Sequence, residues 1–314
     1  MHLTLPIPSL LQRVSLRAIL YMIFSAVCFA AAELVAAHFV RGISQIQLVW
    51  GRYAVHLLFM ITVLGPRYKR KLVSTKRLGL HILRSLTMLV MPLGFIIASA
   101  EHFPTHDALA VYWLSPLMML ALSTLILHER VGSIRWIAGI IGFGAMMLIY
   151  RPDRSILSPV ALLTLASGLA ISLHLLLSRI LREDHPVTSL FHTALWVFLI
   201  VTFIMPFVWQ RPSGTDVEGI ILVGFIGLIG LLVLARAGEL MPLSTVSFFS
   251  YTDPIWALIL NAVFFGILPQ KYELLGASVI ASVAIFLLYY ELAHAGINER
   301  LNMSHLEGAT EAQS

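Results

Sequence analysis

Apolar residues in this chain come in long runs separated by short polar or Pro/Gly-containing breaks. The runs fall at about residues 18–38, 44–64, 78–99, 106–127, 134–150, 157–178, 187–209, 217–235, 242–266 and 272–290. A helix needs roughly 20 apolar residues to cross a hydrocarbon core about 30 Å thick, and each run comes close to that length. Such runs are too long for the roughly ten-residue alternating strands of a transmembrane barrel. The pattern predicts an all-α membrane protein with ten transmembrane helices and short loops.

Composition agrees. Of 314 residues, 59% are hydrophobic and 12% charged, against about a quarter charged in soluble domains. Ten spans leave no length for a separate soluble catalytic module. The net charge of +5 comes from Lys and Arg gathered in short loops, six of them between Pro66 and Arg77, and not from a basic face suited to nucleic acid. Fourteen of the 21 Lys and Arg fall on the side shared by the two termini, five on the other, and two, Arg52 and Arg84, inside spans. Cytoplasmic loops are the ones enriched in Lys and Arg, so both termini are expected to be cytoplasmic. Pro6, Pro8, Arg13 and Arg17 precede the first run without a convincing cleavage site, which reads as an uncleaved span. The single cysteine, Cys28, lies in that span, excludes an intramolecular disulfide and reads as a small buried apolar residue.

Two prolines repeat a position. Tyr112-Trp113-Leu114-Ser115-Pro116 and Ser250-Tyr251-Thr252-Asp253-Pro254 put a proline near the middle of the fourth and ninth runs, 138 residues apart. The segments that follow, WIAGIIGFGAMMLIY and LLGASVIASVAIFLLYY, begin in register within a residue. A proline inside a helix removes a hydrogen bond, kinks the chain and frees a carbonyl, here those of Tyr112 and Ser250. Five spans per half is an odd number, so two halves in sequence enter the membrane in opposite senses. That is the plan of two inverted five-helix repeats used by many secondary transporters. The expected repeats are residues 18–151 and 157–291, flanked by a cytoplasmic amino terminus (1–17) and a cytoplasmic tail (292–314) that is polar and disordered from Asn298. Ala26, Ala30 and Ala37, Gly139 and Gly142, Gly224, Gly227 and Gly230, and Ala277 and Ala281 read as seams where helices approach closely.

Charges inside the spans carry the candidate chemistry. A charged residue at the bilayer centre costs about 2.5–3.5 kcal/mol on insertion scales, so it belongs beside a cavity or a partner. Arg52 lies about 12 Å deep from the outer face and Asp253 about 16 Å from the cytoplasmic face, counting about 1.5 Å per residue. These depths nearly coincide, which points to an opposite-signed pair facing one central cavity; a structural ion pair with no substrate contact is the alternative. Helical spacing puts Ser250, Asp253, Trp256, Ala257 and Asn261 on one face of the ninth helix and Tyr112, Ser115, Met119 and Ser123 on one face of the fourth. Trp113 and Tyr251 add aromatic surface beside them. Such mixed polar and aromatic faces suit a small-molecule site. Glu33, at a depth close to Arg52, is a rival partner, a proton carrier or a carboxylate reaching to the outer interface; His56, one turn beyond Arg52, is a candidate relay or a satisfied interhelical histidine. Arg84, near the end of the third helix beside His81, either serves in gating or snorkels to the interface. Asp107, the His128-Glu129-Arg130 turn and the Arg236/Glu239 pair read as structural.

His174 and His192 lack carboxylate or cysteine companions at ligand spacing, so no metal is expected. No phosphate-binding loop, zinc-protease helix or nucleophile elbow occurs, and no cofactor is implied. The chain nevertheless resembles the drug/metabolite transporter superfamily, specifically a protein of two EamA-type repeats, over about residues 17–291. The resemblance rests on Trp50-Gly51-Arg52-Tyr53, His81-Ile82-Leu83-Arg84-Ser85, Leu114-Ser115-Pro116, His128-Glu129-Arg130, Gly139, Tyr251-Thr252-Asp253-Pro254-Ile255-Trp256, Phe265-Gly266 and Gly276. Where the family often has an acid after Phe265-Gly266, this chain has Ile267-Leu268-Pro269, so the second half lacks a counterpart of Glu129.

The resemblance implies a multi-pass carrier of the bacterial inner membrane that moves small organic solutes by alternating access. Its branch includes S-adenosylmethionine and riboflavin carriers. The expected function is transport of a zwitterionic or mixed-charge metabolite, amino-acid-like, nucleoside-like or vitamin-like, with export slightly favoured over uptake. Uptake of S-adenosylmethionine or riboflavin, a membrane-embedded transferase and a channel are the alternatives. Arg52, Asp253, Tyr112, Trp113, Ser115, Tyr251, Trp256 and Asn261 are the expected substrate contacts, with Glu33, His56 and Arg84 in proton or gating roles. Coupling to a proton or counter-solute, and a monomer or dimer in the bilayer, complete the expectations.

Overall fold

The computed structural model describes residues 16–311, with side chains through residue 291. Residues 1–15, and with them the expectations for Pro6, Pro8 and Arg13, lie outside the described residues. Ten helices carry the ten apolar runs: α1 Leu16–Phe39, α2 Gln45–Leu72, α3 Leu78–Ala100, α4 Thr105–Leu125, α5 Ser133–Tyr150, α6 Ala161–Ile180, α7 Pro186–Val208, α8 Gly214–Leu240, α9 Leu243–Phe265 and α10 Lys271–Glu291. Local chemistry starts and stops them. Ser44 caps α2 by accepting from the Gln47 N–H, Ser213 and Asp216 form a capping box at the start of α8, and Gly266 ends α9 in the left-handed conformation.

Two ends move well beyond the hydropathy boundaries. The helix α2 runs on through a π-helical turn at Met60–Leu64 to Leu72, and α8 continues to Leu240. The helix of α10 extends past the membrane span to Glu311, in place of the disordered tail expected from Asn298. Segment 292–311 contains no proline and several Ala, Leu and Glu residues, which favour helix even where the segment is polar.

The two prolines do more than kink a helix. The span α4 is two helices, Thr105–Tyr112 and Ser115–Leu125, and α9 is Leu243–Phe249 and Asp253–Phe265 joined by a 3-10 turn at Ser250–Thr252. Pro116 and Pro254 each sit in the first turn of the second piece, where the missing N–H has no helical acceptor to lose.

Helix α1 packs along α8, and α3 along α6; α2 packs on both α7 and α8, α3 on α7, and α5 on α10. Exchanging each helix for the one five positions away maps these pairings onto themselves: α1–α8 becomes α6–α3, and α2–α8 becomes α7–α3. The second piece of α9 lies on α1 as the second piece of α4 lies on α6. The α5–α10 contact requires glycine, because a β-carbon on Gly276 would stand 2.7 Å from the Ala145 carbonyl oxygen.

Buried polar ties hold the helix ends. Asp216 accepts from the backbone N–H groups of Arg41 and Gly42, both at 3.0 Å, joining the α1–α2 turn to α8. Arg135 of α5 meets Glu291 of α10 through Nε at 2.8 Å and Nη2 at 2.7 Å. Glu129, after α4, accepts from the N–H groups of Leu243 and Ser244 at 3.0 Å each, so a carboxylate of one half caps the first piece of α9 in the other. Asp107, read as structural, accepts from the Asp153 N–H at 2.8 Å and from the Ser155 hydroxyl, tying α4 to the α5–α6 loop.

Candidate functional site: a charged central cavity

A cavity of about 280 Å³ lies between the halves, walled by α1, α2, α3, α4, α6, α8 and α9. The breaks in α4 and α9 put Tyr112, Trp113, Ser115, Pro116, Ser250 and Asp253 on its wall. A broken span brings helix ends and unpaired backbone to mid-membrane, and irregular backbone is tolerated there only where protein or a cavity surrounds it.

Arg52, Glu33 and Asp253 all line this cavity. Among the described residues none of the three enters an ion pair. Glu33 shares the cavity with both, so the site holds two carboxylates and one guanidinium without a direct Arg52–Asp253 ion pair. The Nε of Arg52 is buried without a hydrogen-bond partner. Its guanidinium lies over Gly227 of α8, where a β-carbon would be 2.9 Å from Nη2 and 3.1 Å from Nε. An unpartnered cationic donor in a partly dry site is costly in the empty protein and becomes favourable when an anionic group arrives.

A hydrogen bond and ring contacts hold the aromatic side of the wall. Trp113 donates from Nε1 to the Tyr150 hydroxyl at 3.1 Å, and Tyr112 stands edge-on to Phe95 at 5.3 Å and to Trp113 at 5.5 Å. The Ser115 carbonyl accepts from the Ser172 hydroxyl at 2.9 Å, which ties the break in α4 to α6. Met22, Met88, Met91 and Met119 complete the wall with flexible, polarizable surface.

Five expected site residues stand elsewhere. The single-face reading of α9 assumed an unbroken 3.6-residue period, but the 3-10 turn has about 3.0 residues per turn, so Ser250 and Asp253 eclipse and Tyr251 turns away. Tyr251 is fully buried (0% exposed), with its ring against Gly142 of α5 and its hydroxyl unpartnered. Past the break, Trp256 and Asn261 are off the cavity wall; Asn261 donates to the Ala257 carbonyl of its own helix at 2.9 Å. His56 is buried beside the Tyr53 ring at 5.1 Å, with Nε2 unpartnered, because α8 closes over that side of α2. Arg84 does not snorkel. It is 4% exposed and donates to the Ser178 hydroxyl, the Ser189 carbonyl and the Thr193 hydroxyl, acceptors that lie on α6 and α7.

Some participants were not read from the sequence. Gly227 was visible only as part of a packing seam, since spacing does not say whether the room it leaves takes a helix or a guanidinium. Methionines at 22, 88 and 91 look like ordinary apolar residues in a linear sequence. Among the described residues no three His, Cys, Asp or Glu side chains come together as a metal site.

Ten membrane-length helices, two broken at corresponding places around a charged cavity, define the class of polytopic helical carriers with a central site. The chain belongs to the EamA-like transporter family, which matches residues 16–151 and 158–290. It is similar to a riboflavin transporter of Vibrio cholerae (24% identical over 280 residues, 88% of this chain and 94% of that one). It is likewise similar to an S-adenosylmethionine uptake transporter of Rickettsia conorii (22% over 279 residues, 86% and 92%). A crystal structure with 15% sequence identity shares the fold at a TM-score of 0.74, over 85% of this chain and 95% of that chain. The protein is a multi-pass membrane transporter of the EamA type.

Proposed function

We propose that this protein is a secondary transporter that binds a small mixed-charge organic metabolite in the central cavity and moves it by alternating access between two inverted repeats, residues 18–151 and 157–291. The observation that carries the reading is the unpartnered Arg52 Nε in a cavity that also holds Glu33 and Asp253, none of them ion-paired among the described residues. In this reading Arg52 takes an anionic group of the solute, Glu33 and Asp253 take a cationic group or a proton, and Tyr112 and Trp113 contact an apolar or planar part. Ser115 and Ser250 flank the charges as hydrogen-bonding groups.

The relatives named for S-adenosylmethionine uptake and riboflavin transport support a solute with a planar ring, and the uptake name favours import over the slight export preference drawn from sequence. Two carboxylates and one guanidinium suit a molecule with both a carboxylate and cationic centres, such as S-adenosylmethionine, better than an uncharged flavin. Arg52→Ala and Asp253→Asn should each abolish uptake of labelled S-adenosylmethionine into proteoliposomes while the protein stays folded in the bilayer. Undiminished uptake by both variants disposes of the assignment. A saturable rise in melting temperature with S-adenosylmethionine, absent in Arg52→Ala, reports binding directly.

A further inference from the structure

A second, smaller cavity of about 70 Å³ lies near the α6–α7 turn and shares His174, Leu175, Leu231 and Leu234 with the wall of the central one. Three arginines line it: Arg84, Arg179 and Arg182. Arg84 is buried, Arg179 half-buried and Arg182 exposed, and none of the three has a carboxylate as a hydrogen-bond or ion-pair partner among the described residues. Arg84 donates from Nε to the Ser178 hydroxyl at 2.7 Å, and from Nη1 to the Ser189 carbonyl at 2.9 Å and the Thr193 hydroxyl at 2.5 Å. All three acceptors are neutral, and Nη2 makes no hydrogen bond among the described residues. Arg179 donates from Nη1 to the Gly238 carbonyl at 2.7 Å, and the Arg182 side chain makes no hydrogen bond or ion pair among the described residues.

Two acids, Asp184 and Glu239, line the same pocket, and each already has a partner. Asp184 accepts from His81 and from the Thr75 hydroxyl at 2.8 Å each, and Glu239 accepts from Arg236 at 3.0 Å. Partial burial alone would raise the Asp184 carboxyl, but the His81 and Thr75 hydrogen bonds outweigh it and hold the group below the usual carboxylate range. Glu129, which attracts Arg179 electrostatically, is bonded to the N–H groups of Leu243 and Ser244. Three arginines against two lining carboxylates leave one positive charge in excess, with free guanidinium donors, in a space too small for a whole metabolite.

We infer that this pocket binds a small oxyanion, a carboxylate or phosphate group, held by the free Nη2 of Arg84 together with Arg182. Guanidinium groups pair best with planar or tetrahedral oxyanions, and an ion pair supplies what the neutral acceptors of Arg84 do not. The leucine walls suit a group attached to an apolar body. Two sources share this chemistry: the anionic end of a solute passing the common wall of the two cavities, and the headgroup of an anionic lipid. The inference stands apart from the transport reading, since the pocket's charge is independent of what the central cavity carries.

The test is thermal unfolding of the purified full-length protein in phosphatidylcholine nanodiscs, titrated with inorganic phosphate and with propionate, against chloride at matched ionic strength. A saturable rise in Tm with either anion, beyond chloride, is expected. Arg84→Gln should weaken the apparent affinity at least tenfold, and Arg182→Gln, at an exposed position, serves as the second variant should the first misfold. Nanodiscs containing phosphatidylglycerol that raise Tm and remove the phosphate response would assign the site to a lipid headgroup; an unchanged phosphate response would assign it to a soluble anion. The inference is overturned by a Tm rise no larger than with chloride in both lipid compositions, or by a rise that Arg84→Gln and Arg182→Gln both leave intact. It is equally overturned by a rise that Arg52→Ala removes, which would place the anion in the central cavity.

Discussion

Arg52 and Gly227 form one unit on two helices. The guanidinium occupies the volume that any side chain at 227 would need, so the glycine serves the cavity as well as the α2–α8 seam. Alanine there displaces only the flexible end of the arginine by a few tenths of an ångström, whereas valine drives it out of its position. Gly227→Val is therefore expected to lower transport more than tenfold with the amount of folded protein in the membrane unchanged, and Gly227→Ala to lower it far less. Equal transport by both variants in proteoliposomes would separate Arg52 placement from function. At this scale the sequence showed which side chains are out of place in a bilayer, because a charge within an apolar run is legible from composition alone. It did not show that Arg52, Glu33 and Asp253 line one cavity without pairing, since helical depth says nothing of azimuth.

The broken spans carry the site at the scale of elements. Pro116 and Pro254 were readable as interruptions, and the structure turns each into the start of a new helix. The register change through Ser250–Thr252 then decides that Ser250 and Asp253 face the cavity while Tyr251 faces Gly142. A 3-10 turn of three residues leaves no composition signal, so the face of α9 could not be read past it. Glu129 holds the first piece of α9 from the opposite half. Removing it in Glu129→Ala leaves two N–H groups without their charged acceptor, where hydrogen bonds to charged groups contribute about 1.5–3 kcal/mol each. Faster hydrogen exchange at 243–249 and a lower Tm are expected, with the amides of α3 and α6 unchanged. Uniformly faster exchange throughout the protein would show that Glu129 supports global stability and not this element.

For the whole molecule, the pairing pattern repeats on moving five helices along the chain, which is what two related five-helix halves generate. Loop charge predicts the sense of insertion. In a Cys28→Ala background, Lys76→Cys in the α2–α3 loop is expected to react with membrane-impermeant thiol reagents only from the cytoplasmic side, and Arg154→Cys in the α5–α6 loop only from outside. The reverse pattern would overturn the orientation. Helix number and the approximate place of each span were determined by the sequence alone, because burying backbone in hydrocarbon demands about 20 apolar residues per helix whatever the neighbours are. The family was legible as well, from short motifs kept in order. Only the tertiary structure decided which charges share a cavity, that Arg52 rests on a glycine of α8, and that Arg84 lines a second pocket beside the first. Those facts depend on helix rotation and on contacts between residues far apart in the chain, and hydrophobic runs without a sharp polar face leave that rotation free until the helices pack.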